Sequence, residues 1–259
     1  MYEIIDFHTH PFIDRDQNIC NHIDNCDMSV ESTRELYRKL GINRICGSVI
    51  TTGERKKQLP PADMMRLNHD TALRLREIYG DFYIPGFHIH PECPKESLAE
   101  IKRMKENGVK LVGELVPYIY GWDSYNGVAG ELISAAADEG MVISVHPTSE
   151  DDMDEFVKSH KNAVIVAAHP GEYGEFMRHI KRMAFSENYY LDLSGYGIFR
   201  HGVTRRAIDE WGKERFLFGS DYPTCNPAMY LGAVTLDPLV TGEEREYLLS
   251  KNAKRLLGL

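Results

Sequence analysis

The sequence is poor in everything that would place it in a membrane, a disulfide scaffold or a nucleic-acid complex. No stretch approaches the ~18 consecutive apolar residues that a spanning helix requires. The first residues run into an apolar segment without the charged n-region and apolar h-region of a signal peptide. Both absences lead to the expectation of a cytoplasmic protein with no membrane partner. The five cysteines, Cys20, Cys26, Cys46, Cys93 and Cys225, form neither an even disulfide set nor a CxxC pair, which fits free thiols in a reducing compartment. Cys20, His22 and Cys26 resemble a zinc clip only superficially, because their spacing matches no common zinc pattern. Lysine and arginine number 30 against 39 acidic residues, a net charge of −9, which argues against nucleic acid or anionic lipid as a partner. With no Pro/Ser-rich linker and no low-complexity segment, residues 1–259 read as one domain.

What is present is an alternation. Of 259 residues, 42% are hydrophobic, enough for a sizeable core. Short apolar runs end an opening strand at "IIDFHTH" and recur at "INRICGSVI", "FYIPGFHIHPE", "VKLVGEL", "MVISVH", "AVIVAAH", "YYLDLS" and "RFLFGSD". Between them lie helical stretches, among them "STRELYRKLG", where Ser32 and Glu35 suggest a capping box and Gly41 a stop, Ala62 to Tyr79, and "PKESLAEIKRMKENG". Apolar strands separated by helices imply right-handed βαβ units and a parallel sheet buried on both faces. Eight of them in about 250 residues predict a single-domain α/β fold, the (β/α)8 TIM barrel.

In such a barrel, chemistry sits at the C-terminal ends of the strands. The first strand ends in His8 and His10, the third in His88 and His90, the fourth in Glu114, the fifth in His146, the sixth in His169 and the eighth in Asp221. Strand alternation places Asp6, His8 and His10 on one face. Imidazoles and carboxylates from separate strands, gathered at one mouth, are the donor set of a catalytic divalent ion such as Zn2+, with a coordination position left for water or substrate.

The motifs also resemble those of the amidohydrolase-related (amidohydrolase 2) family of metal-dependent TIM-barrel enzymes. The likeness runs along the whole chain: "IIDFHTH", "LNHDTALRLREIYGDFYIPGFHIHP", "ISVHP", "VAAHPGE", "YYLDLSG", "FLFGSDYP" and "LSKNAKRLLGL". It implies His8, His10 and His146 as metal ligands and Asp221 as a ligand that doubles as proton acceptor. His169 is implied as a ligand or a charged catalytic partner. "VGELVPY" is similar to the fourth-strand glutamate of TatD-like hydrolases, which bridges two metals, so Glu114 leaves one or two ions open. Lys110, four residues before Glu114, should lie ~13 Å deeper along the strand direction and is not expected to bridge.

The activity this resemblance implies is hydrolysis of a small amide, ester or lactone, by water whose pKa a bound Zn2+ lowers to about 7; Mn2+ is an alternative metal. Asp221 would cycle the proton, and His169, if not a ligand, would stabilise the oxyanion. Non-oxidative decarboxylation of a small carboxylic acid uses the same residues and stands as the alternative. A TatD-like nuclease is disfavoured by the acidic balance, and a binding barrel would have no use for the ligand set. His88, His90 and Arg200 are the substrate-contact candidates, with Tyr118, Tyr120, Trp122, Tyr196 and His201 as further loop residues. "ERKK" at Glu54 to Lys57 reads as solvated surface. His22, His69, His160 and His179 carry no site signal.

Overall fold

A computed structural model describes residues 2–20, 28–198 and 200–259; His22 and Cys26 of the discounted zinc clip lie outside them. Eight parallel strands form one sheet in sequence order: β1 (Ile5–Thr9), β2 (Arg44–Ser48), β3 (Tyr83–Phe87), β4 (Leu111–Leu115), β5 (Val142–Val145), β6 (Val164–Ala167), β7 (Tyr189–Asp192) and β8 (Phe216–Leu217). The sheet closes on itself: the Phe7 amide donates to Phe218 O (2.9 Å) and the Asp221 amide to His8 O (2.8 Å), with a bridge between Thr9 and Tyr222. Helices alternate with the strands, so the fold is the (β/α)8 barrel the alternation predicts. Among the described residues no helix is long and apolar enough to cross a membrane.

Two apolar clusters divide the interior. Ile5, Phe7, Cys46, Leu111, Val142, Val166, Tyr190 and Leu217 pack together with Ala253 and Leu257 of the last helix. Side chains from seven strands meet in one cluster only inside a closed cylinder, so these residues fill the barrel, and the terminal helix seals its lower end. The larger cluster, with Tyr37, Phe87, Phe156 and Phe176, lies between sheet and helices. The lower half of the barrel is therefore dry and rigid, and polar side chains collect at the upper end of the strands.

Two local expectations shift. The helix predicted from Ser32 begins earlier, at Val30–Leu40, because Ser29 rather than Ser32 is the cap: its hydroxyl accepts from the Ser32 amide (3.1 Å) while the Ser29 amide donates to Ser32 Oγ (2.8 Å). Gly41 ends it at φ 71° as expected. Asp6 does not share a face with the histidines. The β1–β2 register shifts between Asp6 and Thr9, and Asp6 turns outward to accept from Tyr37 Oη (3.0 Å) and the Ser220 amide (2.9 Å). It receives the His8 backbone amide (3.3 Å) but neither imidazole, and burial pushes its pKa up to about 6 against the pull of these donors. Asp6 thus ties β1 to the segment after β8.

Candidate metal centre

The barrel brings the six candidate ligands from five strand ends to one place. Glu114 Oε2 lies 3.2 Å from His8 Nε2 and 3.3 Å from His10 Nε2; Asp221 Oδ1 lies 3.7 and 3.6 Å from the same two atoms. Glu114 Oε1 faces His146 Nδ1 at 3.1 Å and His169 Nε2 at 3.6 Å. Two sets of donor atoms lie close enough together for an ion: His8, Glu114 and His169, and His8, His10 and Asp221. His146 belongs to neither set and reaches the centre through Glu114.

The outer hydrogen bonds decide which ring nitrogens carry protons. His10 Nδ1 faces Ser48 O (3.1 Å), which only accepts, so Nδ1 is the N–H. His8 Nδ1 faces Asp192 Oδ2 (2.9 Å) and is likewise a donor. Ser194 Oγ gives its proton to Asp192, so His169 Nδ1, 3.0 Å from Ser194 Oγ, is the donor there too. In the neutral rings all three Nε2 lone pairs point inward. The Nε2 atoms of His8 and His10 stand 3.2 Å apart, opposite carboxylate oxygens that also only accept. Acceptors converging on one point repel unless a cation or protons lie between them. This donor set fits a divalent metal ion.

The charge balance agrees. Burial lowers the pKa of His8, yet Asp192 and Glu114 outweigh it and hold His8 well above the usual range. Burial disfavours ionised Glu114, and His8, His10 and His146 overcome it, so Glu114 is held well below. Asp221 goes the other way: burial raises it despite His8, His169 and His10. The cluster recruits positive charge, and Asp221 is the carboxyl in it that most readily keeps a proton.

Backbone strain marks two members of the centre. His169 (φ 61°) and Asp221 (φ 62°) are the non-glycine residues at positive φ among those described, a conformation that costs of order 1–3 kcal/mol and concentrates at functional sites. Gly219, between β8 and Asp221, is required by close approach: a Cβ there would lie 2.7 Å from His8 Cβ. A bulkier residue would displace the imidazole.

Above the centre opens a cavity of about 520 Å³ lined by His10, Glu114, His146, His169 and Asp221 below and by Ile19, Ile50, Val116, Tyr118, Ile119, Tyr196, Cys225, Met229 and Tyr230 around it. A second cavity of about 380 Å³, between the segments after β5 and β6, shares His146, His169 and Tyr196. Of the predicted substrate contacts, neither His88, His90 nor Arg200 lines either cavity. His88 Nε2 donates to Val49 O (2.9 Å), and burial, with His69 nearby, pushes its pKa down to about 3. His90 Nε2 donates to Tyr120 O (3.1 Å) and its Nδ1 accepts the Glu92 amide (3.2 Å). Arg200 is ion-paired with Glu172. Tyr118 and Tyr196 are on the wall, whereas Tyr120 bonds Asn68 and Trp122 packs on Tyr125. Lys110 lies beside Gly258 at the opposite end of the barrel.

His69, which carried no signal, positions the end of β3. Its Nδ1 donates to Glu100 Oε2 (2.6 Å) and its Nε2 accepts the His88 amide (3.0 Å). Burial works against the Glu100 charge, but hydrogen bonds from His69, Arg103 and Arg66 outweigh it and bring the pKa down to about 2. A carboxyl depressed from 4.5 stabilises the fold fully above pH 4.5 and loses that contribution as pH falls towards 2. Urea denaturation should therefore find Glu100→Gln less stable than the parent at pH 7 and the gap shrinking below pH 4.5; a pH-independent gap would remove the charge from this account.

Sequence reasoning missed Asp192 and Ser194, which fix the His8 and His169 tautomers. The signal was there: in "YYLDLSG" the two stand two apart at the end of a strand, on one face.

A family profile described as amidohydrolase matches residues 5–259. The chain belongs to the amidohydrolase family of enzymes. Its barrel superposes on solved structures of distant relatives. One is a 2,6-dihydroxybenzoate decarboxylase complexed with 2,6-dihydroxybenzoate (TM-score 0.77, 15% identity, 100% of each chain covered). Another is a dihydroxybenzoic acid decarboxylase from Polaromonas with manganese and 2-nitroresorcinol (TM-score 0.74, 14% identity, 100% of this chain and 98% of that one). A third is a probable 2-pyrone-4,6-dicarboxylic acid hydrolase from Acinetobacter baumannii with citric acid (TM-score 0.68, 13% identity, 99% and 100%). No curated protein matches this amidohydrolase by sequence. At these identities the structures establish the shared fold. The expectation of zinc in particular finds no counterpart here, since the metal named among these relatives is manganese.

Proposed function

We propose that the chain is a metal-dependent, non-oxidative decarboxylase of a small aromatic carboxylic acid. The observation that carries the reading is the set of inward lone pairs on His8, His10 and His169, with Glu114 and Asp221, at the foot of a cavity whose upper walls are apolar. Protonation at the ring carbon and loss of CO2 consume the carboxylate's charge and need no water as a reactant, which poorly solvating walls favour, whereas hydrolysis needs water among the same side chains. The decarboxylases that share the fold support this choice over the hydrolysis expected from the motifs.

His8, His10, Glu114, His169 and Asp221 would hold one divalent ion, with His146 oriented by Glu114. That ion supplies the positive charge that anchors the substrate's carboxylate; the mixed nitrogen and oxygen donors suit manganese or zinc. Asp221, whose pKa burial raises, gives a proton to the ring carbon bearing the carboxylate. The C–C bond then breaks, its electron pair restores the ring, CO2 leaves, and Asp221 recovers a proton from solvent. Asp192 and Ser194 keep the His8 and His169 rings in their inward-facing tautomers throughout.

Purified protein loaded with manganese or zinc should release CO2 from 2-hydroxybenzoate or 2,6-dihydroxybenzoate, and chelation should abolish the release. Metal analysis should give one ion per chain. Hydrolysis of esters or lactones with no CO2 from any acid would replace this reading by the second one. That reading draws on Glu114, whose two oxygens face separate pairs, His8 with His10 and His146 with His169, as a carboxylate between two ions would.

A further inference from the structure

We infer that the site selects acids carrying a single carboxylate and excludes dicarboxylates, because the cavity above the centre offers a second carboxylate no lysine or arginine. The inference rests on the aromatic-acid reading above and adds the charge of the substrate to it. The carboxyl groups on the main cavity wall are Glu114 and Asp221, and its imidazoles, His10, His146 and His169, already face them; among the described lining residues there is no lysine or arginine. Residues 21–27 and 199, next to the described segments, contain neither type in the sequence. Three arginines of the segments around the two cavities are engaged with carboxylates. Arg200 pairs with Glu172. Arg178 and Arg182 border the second cavity and pair with Glu150 and Asp154 respectively.

The count follows. With Asp221 carrying the proton it delivers, one divalent ion would balance Glu114 and the first substrate carboxylate. No positive charge is then left over. A second carboxylate on the same ring would be pressed against apolar wall with no counter-charge, and an uncompensated buried charge is costly. The expected penalty is about 100-fold in affinity.

The test compares 2-hydroxybenzoate with 4-hydroxybenzene-1,3-dicarboxylate, which adds one carboxylate to the same ring, by calorimetric titration of the manganese-loaded protein. The dicarboxylate should bind about 100-fold more weakly. Met229 is 56% exposed on the helix Pro227–Thr235 and borders the cavity, so Met229→Arg can add a cation at the rim without disturbing the core. That variant should bring the dicarboxylate to within about 10-fold of the monocarboxylate. Equal or tighter binding of the dicarboxylate by the parent protein would overturn the inference. CO2 is measured in the same samples. Selective binding without CO2 from either acid defeats the reaction and upholds the charge selection; CO2 from both acids at equal affinity does the reverse.

Discussion

Asp221→Asn should leave the fold intact and lower turnover by about 10²- to 10⁴-fold, the range a positioned proton donor contributes. The choice of asparagine is dictated by the backbone. Asp221 sits at φ 62°, where asparagine is tolerated and most other side chains are strained. The amide keeps the shape and one acceptor oxygen towards His8 and His10 but has no carboxyl proton to give. Asp221→Ala would confuse that loss with a backbone penalty. The measurement is CO2 release at saturating manganese, where weakened metal binding is compensated, alongside the thermal transition and the metal content. Undiminished turnover with a full metal complement would take the proton role away from Asp221. A lowered transition temperature that tracked the loss of activity would make the effect structural. The same variant serves the hydrolytic reading, because Asp221 is the proton carrier in both. It tests the residue, and the comparison of acids with esters tests the reaction.

The barrel was legible because its signals are local. Apolar β-branched runs, glycine stops such as Gly41 and strand ends rich in histidine can each be read within a dozen residues. The centre was legible to the extent that it uses strand ends. The two HxH pairs show where legibility stops. His8–His10 and His88–His90 have identical spacing and comparable positions, yet the first pair turns its Nε2 atoms into the barrel and the second binds carbonyls of Val49 and Tyr120. What separates them is the neighbouring segment each ring meets, a tertiary fact that spacing does not encode. Asp6 is a similar case. Alternation predicts its face, and a register shift a few residues long reverses it. The length of "DxHxH" on paper says nothing about where a strand bulges.

Asp192→Asn should weaken metal binding by about 10- to 100-fold, the usual effect of losing an outer partner of a metal-ligating histidine. Asp192 is wholly buried and uses both oxygens. Oδ2 receives the His8 Nδ1–H, while Oδ1 receives the amides of Ser194 (3.1 Å) and His169 (3.4 Å) and the Ser194 hydroxyl. Every partner of this carboxylate is a donor. Asparagine must replace one oxygen by NH2, and whichever way the amide turns, a donor meets a donor. If the oxygen stays with Ser194 and His169, the NH2 group confronts His8 Nδ1. His8 then escapes by moving its proton to Nε2, the atom aimed at Glu114 Oε2 and Asp221 Oδ1. A protonated Nε2 has no lone pair for a cation and satisfies the two carboxylates in the cation's stead. The variant should therefore fold, bind manganese more weakly in competition with a chelator, and recover turnover as manganese is raised. Ser194→Ala, which removes one neutral hydroxyl and leaves the Asp192 carboxylate on His8, should shift the affinity less. Unchanged affinity in Asp192→Asn would mean that the inward lone pair of His8 is not what holds the ion.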